Sequence, residues 1–182
     1  MPENPQKQTS DEVDERQLEL AKEAGDAYME AVEYMAEEVA HTGDHEAAGE
    51  MIVAFAQEEA EGMYALESEG DFEWVEPGDD NCHVEVTAMD AEDRRMIPEL
   101  DIEFTLEAED GEEFGPHEAD FLWHPGLLHY GKNVELPGDG SYDLHVEIDA
   151  PTFMRHDEEN GDRYGERVSV TFEDVDVETG QD

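Results

Sequence analysis

Basic residues are scarce in this sequence, in which nine Lys and Arg face 54 Asp and Glu, for a formal net charge of −45 over 182 residues. Nucleic-acid binding depends on Lys and Arg that neutralise phosphates, so this charge balance excludes nucleic acid and, in the same way, anionic membranes as partners. Like charges repel over longer distances when salt is low. We therefore expect an acidic, halophilic protein that is adapted to high salt.

Cysteine and long apolar runs are also scarce. Cys82 is the only cysteine, so no intrachain disulfide can form, and its neighbours predict a small core residue. The longest purely apolar run, residues 51–56, is far shorter than the roughly 20 residues that cross a bilayer. The N-terminus lacks the apolar core of a secretory signal, which predicts a cytoplasmic location for the sequence as it stands.

Motifs for catalysis are missing as well. The sequence has no Gly-x-Ser-x-Gly, no Walker-type glycine loop and no dinucleotide-binding fingerprint. This absence favours a protein that is not an enzyme.

The first third of the chain has helical periodicity. Residues 1–10 are polar and predict a disordered leader, after which Ser10 or Asp11 is a candidate N-cap for a helix that runs to about Ala40. Apolar residues spaced by three and four predict a second helix from about Asp44 to Leu66. We therefore predict a helical hairpin over residues 11–68, which would serve as a dimerisation or docking element.

The pattern changes after residue 72, where apolar and polar residues alternate. Alternation over residues 100–107, 142–148 and 168–172, with turn clusters between, predicts antiparallel strands. We predict an α+β protein in which residues 72–182 form a β-sandwich that binds metal.

Candidate metal ligands are spread over this β-rich region. His83 and Glu85 are two residues apart, so on a strand both side chains share one face, while His129 and His156 come from later segments. Imidazoles and a carboxylate suit a divalent transition metal, with Cu(II) favoured by intrinsic affinity and zinc also able to bind.

Residues 83–175 resemble the iron/copper-binding transport proteins of bacterial periplasms, the Fe2+ transport protein family. The resemblance depends on the following segments: His83-Val-Glu85, Met96-Ile-Pro-Glu-Leu100, His129-Tyr-Gly-Lys-Asn133, Gly138-Asp-Gly-Ser-Tyr142 and Arg155-His156 with Gly161. It implies an immunoglobulin-like β-sandwich in which His83, Glu85, His129 and His156 bind copper or iron.

One family ligand, a methionine seven residues before the motif histidine, is replaced here by Leu122, and His124 or Met89 are candidate substitutes. A homodimer and a membrane permease are candidate partners.

Three alternatives stay open at this point. A redox metal with an open coordination position would allow a ferroxidase-like oxidoreductase. The histidines could instead be incidental in a metal-free interaction module. A rival site has the Glu38-x-x-His41 spacing of di-iron helical bundles, with further glutamates on the predicted second helix.

Overall fold

The computed structural model describes residues 6–182. Helix α1 spans Glu15–Tyr34 and continues as a π-helical turn over Met35–Val39. The strands that follow are β1 (Thr42–Ala48), β2 (Met51–Glu58), β3 (Met63–Ser68), β4 (Asp71–Val75), β5 (Cys82–Asp90), β6 (Ile102–Ala108), β7 (Glu113–Glu118), β8 (Asp120–Leu122), β9 (His129–Val134), β10 (Gly140–Ile148) and β11 (Val168–Val177).

Two antiparallel sheets pack face to face around the main core. One sheet has the strand order β1-β2-β5-β9-β8 and the other the order β11-β10-β6-β7. Their inner faces supply one apolar cluster, to which Val84 and Val86 contribute from the first sheet and Phe104 and Leu144 from the second. The predicted α+β class and β-sandwich are confirmed, and Cys82 is a buried core residue as expected.

The predicted helical hairpin is wrong, because residues 42–68 form strands β1, β2 and β3 rather than a second helix. Strand β2 is covered on both faces, so nearly all of its side chains are buried and its apolar residues are consecutive. Such a run cannot be distinguished from a buried helix by periodicity. Since β1 and β2 pair in the same sheet as β5, the sandwich begins well before residue 72.

Helix α1 starts later than expected and covers the outer face of the five-stranded sheet. Asp14 is the N-cap, and its side chain and that of Gln17 form a capping box. A second apolar cluster lies between helix and sheet, with Met29, Val32 and Met35 from the helix side. The helix backbone at Gly25 lies close to the backbone of residues 93–95, where a Cβ atom on Gly25 would overlap the carbonyl oxygen of Asp93. The helix is therefore an integral layer of the domain.

The predicted disordered leader, residues 1–10, can be compared with the structure only over residues 6–10, since residues 1–5 lie outside the described part of the chain. Residues 6–10 make specific contacts. The ammonium of Lys7 lies 2.9 Å from Oδ2 of Asp90, which is buried, and Ser10 bonds to the carboxylate of Asp157. Residues 7–10 are thus held on the domain by polar contacts.

Candidate metal centre

Strand β5 positions two of the predicted ligands. Its side chains alternate, so that Val84 and Val86 enter the sandwich core while His83 and Glu85 face the helix side. In the register with β9, Glu85 pairs with Gly131 and His83 with Asn133. Residues 129, 131 and 133 share one face of β9, so His129 lies diagonally across from Glu85, within side-chain reach.

Three ligand atoms meet at this point. Nε2 of His129 lies 3.2 Å and Nε2 of His83 lies 4.0 Å from Oε1 of Glu85. The three ligand atoms lie within 4.8 Å of one another. The exposed fraction is 1% for His83, 5% for Glu85 and 4% for His129. An ion between them would replace their lost contact with water.

Asn133 sets the tautomer of His83. The amide of Asn133 donates to the carbonyl oxygen of Glu61 and accepts the backbone N–H of Glu61, which fixes the amide orientation. Its Oδ1 then accepts from Nδ1–H of His83 at 2.9 Å. The proton is therefore on Nδ1, and Nε2 keeps a lone pair for a metal, as in most metal-binding histidines.

His129 is oriented in the same way by a backbone group. Its Nδ1–H donates to the carbonyl oxygen of Leu127 at 2.9 Å, so the lone pair lies on Nε2. That Nε2 is buried and makes no well-directed hydrogen bond within the described residues, although Oε1 of Glu85 lies 3.2 Å away. A buried nitrogen without such a bond costs stability, and here it is directed at a carboxylate and a second imidazole.

Burial and neighbouring charge shift the pKa values of the three groups. Burial lowers the pKa of His83 to about 4, with the bond to Asn133 opposing the shift, and burial also lowers the pKa of His129. Burial raises the pKa of Glu85 to about 8, and the nearby carboxylates of Glu58 and Glu61 add to this rise. Both imidazoles are thus neutral at pH 7 and able to coordinate.

Glu58 and Glu61 form an acidic pair next to the three ligands. Burial raises the pKa of Glu58 to about 7, and the charge and hydrogen bond of Glu61 contribute. Negative potential concentrated at a partly buried site attracts cations. A divalent ion would relieve the repulsion among these carboxylates.

Gly131 makes room for the imidazole of His83. A Cβ atom at position 131 would lie 3.0 Å from Nε2 of His83 and 3.1 Å from Cδ1 of Leu122. The motif His129-Tyr130-Gly131-Lys132-Asn133 therefore supplies a ligand, a buried tyrosine, space for a second ligand and the residue that orients it.

We expect Gly131→Ala to lower Cu(II) affinity while the domain stays folded, because the new methyl group displaces the His83 ring by a few tenths of an ångström. The loss should be roughly tenfold, as for other changes that misorient a ligand. Competitive titration with a copper chelator measures it. Gly165→Ala is the matched control, since nothing lies within 4 Å of a Cβ atom there. Equal affinity in both variants would contradict this account of Gly131.

The structure does not bring His156 to the other predicted ligands. Its side chain is 91% exposed, and Nδ1 lies 3.1 Å from a carboxylate oxygen of Glu12. The loop between β10 and β11 carries the residue to the surface near the start of the helix, so His156 is absent from the ligand cluster of residues 6–182.

His124 lies close to the three grouped ligands, but its Nδ1 accepts hydrogen bonds from the backbone. Its ring centroid is 6.0 Å from that of His129. Its Nδ1 accepts the backbone N–H groups of Gly126 and Leu127, both at 3.1 Å, which leaves the proton on Nε2. His124 therefore closes the turn before β9, and within the described chain it is not among the grouped donors.

The other sequence candidates lie apart. Met89, a candidate substitute for the family's methionine, is packed in the second apolar cluster, two positions beyond Thr87 on β5. The rival site is wrong, because the segment predicted to carry its glutamates forms strands β1 to β3 rather than a second helix. His41 instead lies near Asp176 and Glu178, at 3.3 and 3.2 Å.

Sequence reasoning missed two contributors. Asn133 was part of the quoted motif, and its role would follow from the β5–β9 register if that pairing were known. Glu61 follows β2, in the segment that the sequence predicts as helix, so its position beside Asn133 does not follow from the sequence.

A buried group of two imidazoles and a carboxylate, on the outer face of a β-sandwich, defines a candidate metal-binding protein. The sequence profile of the family described as Fe2+ transport protein matches residues 30–178, and the chain belongs to that family. The predicted resemblance is thereby confirmed over a longer stretch than the sequence motifs covered. No curated protein matches the chain.

Solved structures with the same fold include metal-loaded proteins. FetP of uropathogenic Escherichia coli, expressed in the periplasm, aligns with a TM-score of 0.60 and 23% identity over 75% of this chain and 94% of that chain. A copper-bound variant of the P19 protein of Campylobacter jejuni gives 0.62 and 20% over 76% and 96%. Copper-reconstituted P19 gives 0.58 and 21% over 74% and 95%. No helix in residues 6–182 is long and apolar enough to span a bilayer.

Proposed function

We propose that this protein binds one copper or iron ion through His83, Glu85 and His129 and carries it as cargo for transport or storage, without turnover. The observation that supports this most directly is the buried Nε2 of His129, which makes no well-directed hydrogen bond within the described residues and lies 3.2 Å from Oε1 of Glu85. Two neutral imidazoles and one carboxylate form a donor set of intermediate hardness, which suits Cu(II), iron and zinc.

The supporting contacts also favour metal binding. Both imidazoles have their second nitrogen bonded to an oxygen acceptor, which fixes them in the orientation that a metal requires. The copper-bound P19 structures and the family's description as Fe2+ transport proteins support the choice of metals. Adaptation to high salt, a homodimer, an immunoglobulin-like sandwich and a permease partner remain predictions.

We expect the chelator-treated protein, reloaded at high salt, to retain about one Cu(II) per chain after gel filtration. Elemental analysis by mass spectrometry measures the ratio, and oxygen consumption with Fe(II) tests for turnover. No retained copper, iron or zinc would refute the proposal. Rapid oxidation of Fe(II) would favour the oxidoreductase instead.

A further inference from the structure

A small cavity beside Glu85 and His129 is lined by a sulfur-bearing side chain that has no assigned role. Met35 lines this cavity together with Glu85 and His129. The cavity volume is about 10 Å³, which is close to the minimum that one water molecule needs. Its walls therefore bring a thioether to the same small space as two of the proposed ligands.

The position of Met35 along the helix is unusual. Helix α1 changes at this residue from α to π geometry, and the N–H of Ala40 donates to the carbonyl oxygen of Met35 at 2.9 Å. A π-helical turn shifts side chains relative to a regular helix and occurs often at functional sites. Met35 is 7% exposed, so its side chain is buried.

Leu122 is an apolar neighbour of His83. A Cβ atom built on Gly131 would contact both Cδ1 of Leu122 and Nε2 of His83, so these two side chains lie over the same glycine. Met35 instead lines the cavity that Glu85 and His129 also line.

The other buried methionines near the group are less suitable. Met29 is six residues earlier on α1, about 9 Å along the helix axis. Met89 lies four residues from Glu85 on β5, about 13 Å along the strand. Both belong to the second apolar cluster, but of the three only Met35 lines the cavity in the described chain.

We propose that the thioether of Met35 is a fourth metal ligand, supplied by the helix, and that it gives the site a preference for Cu(I) over zinc. The inference rests on the proposed metal binding at His83, Glu85 and His129. Thioethers are soft donors that select Cu(I), whereas the two imidazoles and the carboxylate do not discriminate strongly against Zn(II). Sulfur from the helix would also couple metal binding to the seating of α1 on the sheet.

The test is X-ray absorption spectroscopy of the full chain loaded with Cu(I) under ascorbate at high salt. We expect a sulfur scatterer in the wild type that is lost in Met35→Leu and retained in Met29→Leu. Leu and Met have similar volumes, so both variants should fold. Cu(I) affinity should fall in Met35→Leu by a larger factor than Zn(II) affinity.

The outcomes separate the two proposals. Failure of the wild type to bind any copper would refute the metal-binding proposal itself. Bound copper with nitrogen and oxygen neighbours alone would refute the role of Met35 and leave the three-residue site intact. Sulfur that persists in Met35→Leu, or disappears in both variants, would also overturn the assignment.

Discussion

His129→Ala is expected to lower Cu(II) affinity by more than the roughly 100-fold that loss of an orienting partner costs, because it removes a ligand atom itself. His129 supplies the Nε2 closest to Glu85, and its ring is fixed by the carbonyl oxygen of Leu127. Of the three ligands proposed for Cu(II), alanine leaves only His83 and Glu85, which are too few to hold Cu(II) against a chelator. Competitive titration at high salt gives the affinity.

His145→Ala is the matched control for that experiment. His145 is also a strand histidine, and it bonds to Thr171 and Glu107 on the other sheet. The His145→Ala variant should bind Cu(II) with the affinity of the wild type. Circular dichroism of both variants checks that each is folded. Wild-type affinity in His129→Ala would remove that residue from the site and with it the proposed donor set.

Lowering the salt from 1 M to 0.01 M NaCl is expected to unfold most of the protein at 25 °C. The screening length grows from about 3 Å to about 30 Å over this range, so repulsion among the exposed carboxylates reaches across the molecule. The few cations cannot offset it. Arg167, for example, is shared by Glu103, Glu147 and Asp149.

Thermal melts followed by circular dichroism at a series of NaCl concentrations measure this effect. Sucrose at matched osmolality is the control, since it favours compact states without screening charge. Stability that returns with salt and not with sucrose supports screening as the cause. A melting temperature that stays constant from 1 M to 0.01 M would contradict the predicted adaptation to high salt.

The sequence was most informative where apolar and polar residues alternate along a strand. On β5 the division between Val84 and Val86 on one face and His83 and Glu85 on the other followed from the period of two. The grouping of His129 with them needed the β5–β9 pairing, and the family resemblance supplied it. Physical reasoning from one strand alone could not fix that register.

The structure departs from the sequence predictions at two places, for two physical reasons. Strand β2 is sandwiched between the main core and helix α1, so it lost the alternation that would have marked it as a strand. His156 lies in a long connection between β10 and β11, where spacing along the chain does not determine position in space. Its neighbouring motif residue Arg155 instead bonds to the carbonyl oxygens of Phe153 and Arg163.

The placement of α1 over the outer face of the sheet has a kinetic consequence. His83, Glu85 and His129 are each at most 5% exposed, and residues of the helix and of the turn before β9 line the cavity beside Glu85 and His129. If the protein binds a metal as proposed, exchange of the ion would wait for a transient opening of this cover. The residence time of the bound metal would then depend on how often this cover opens. Two variants with equal affinity would release the ion at different rates if their covers opened at different rates.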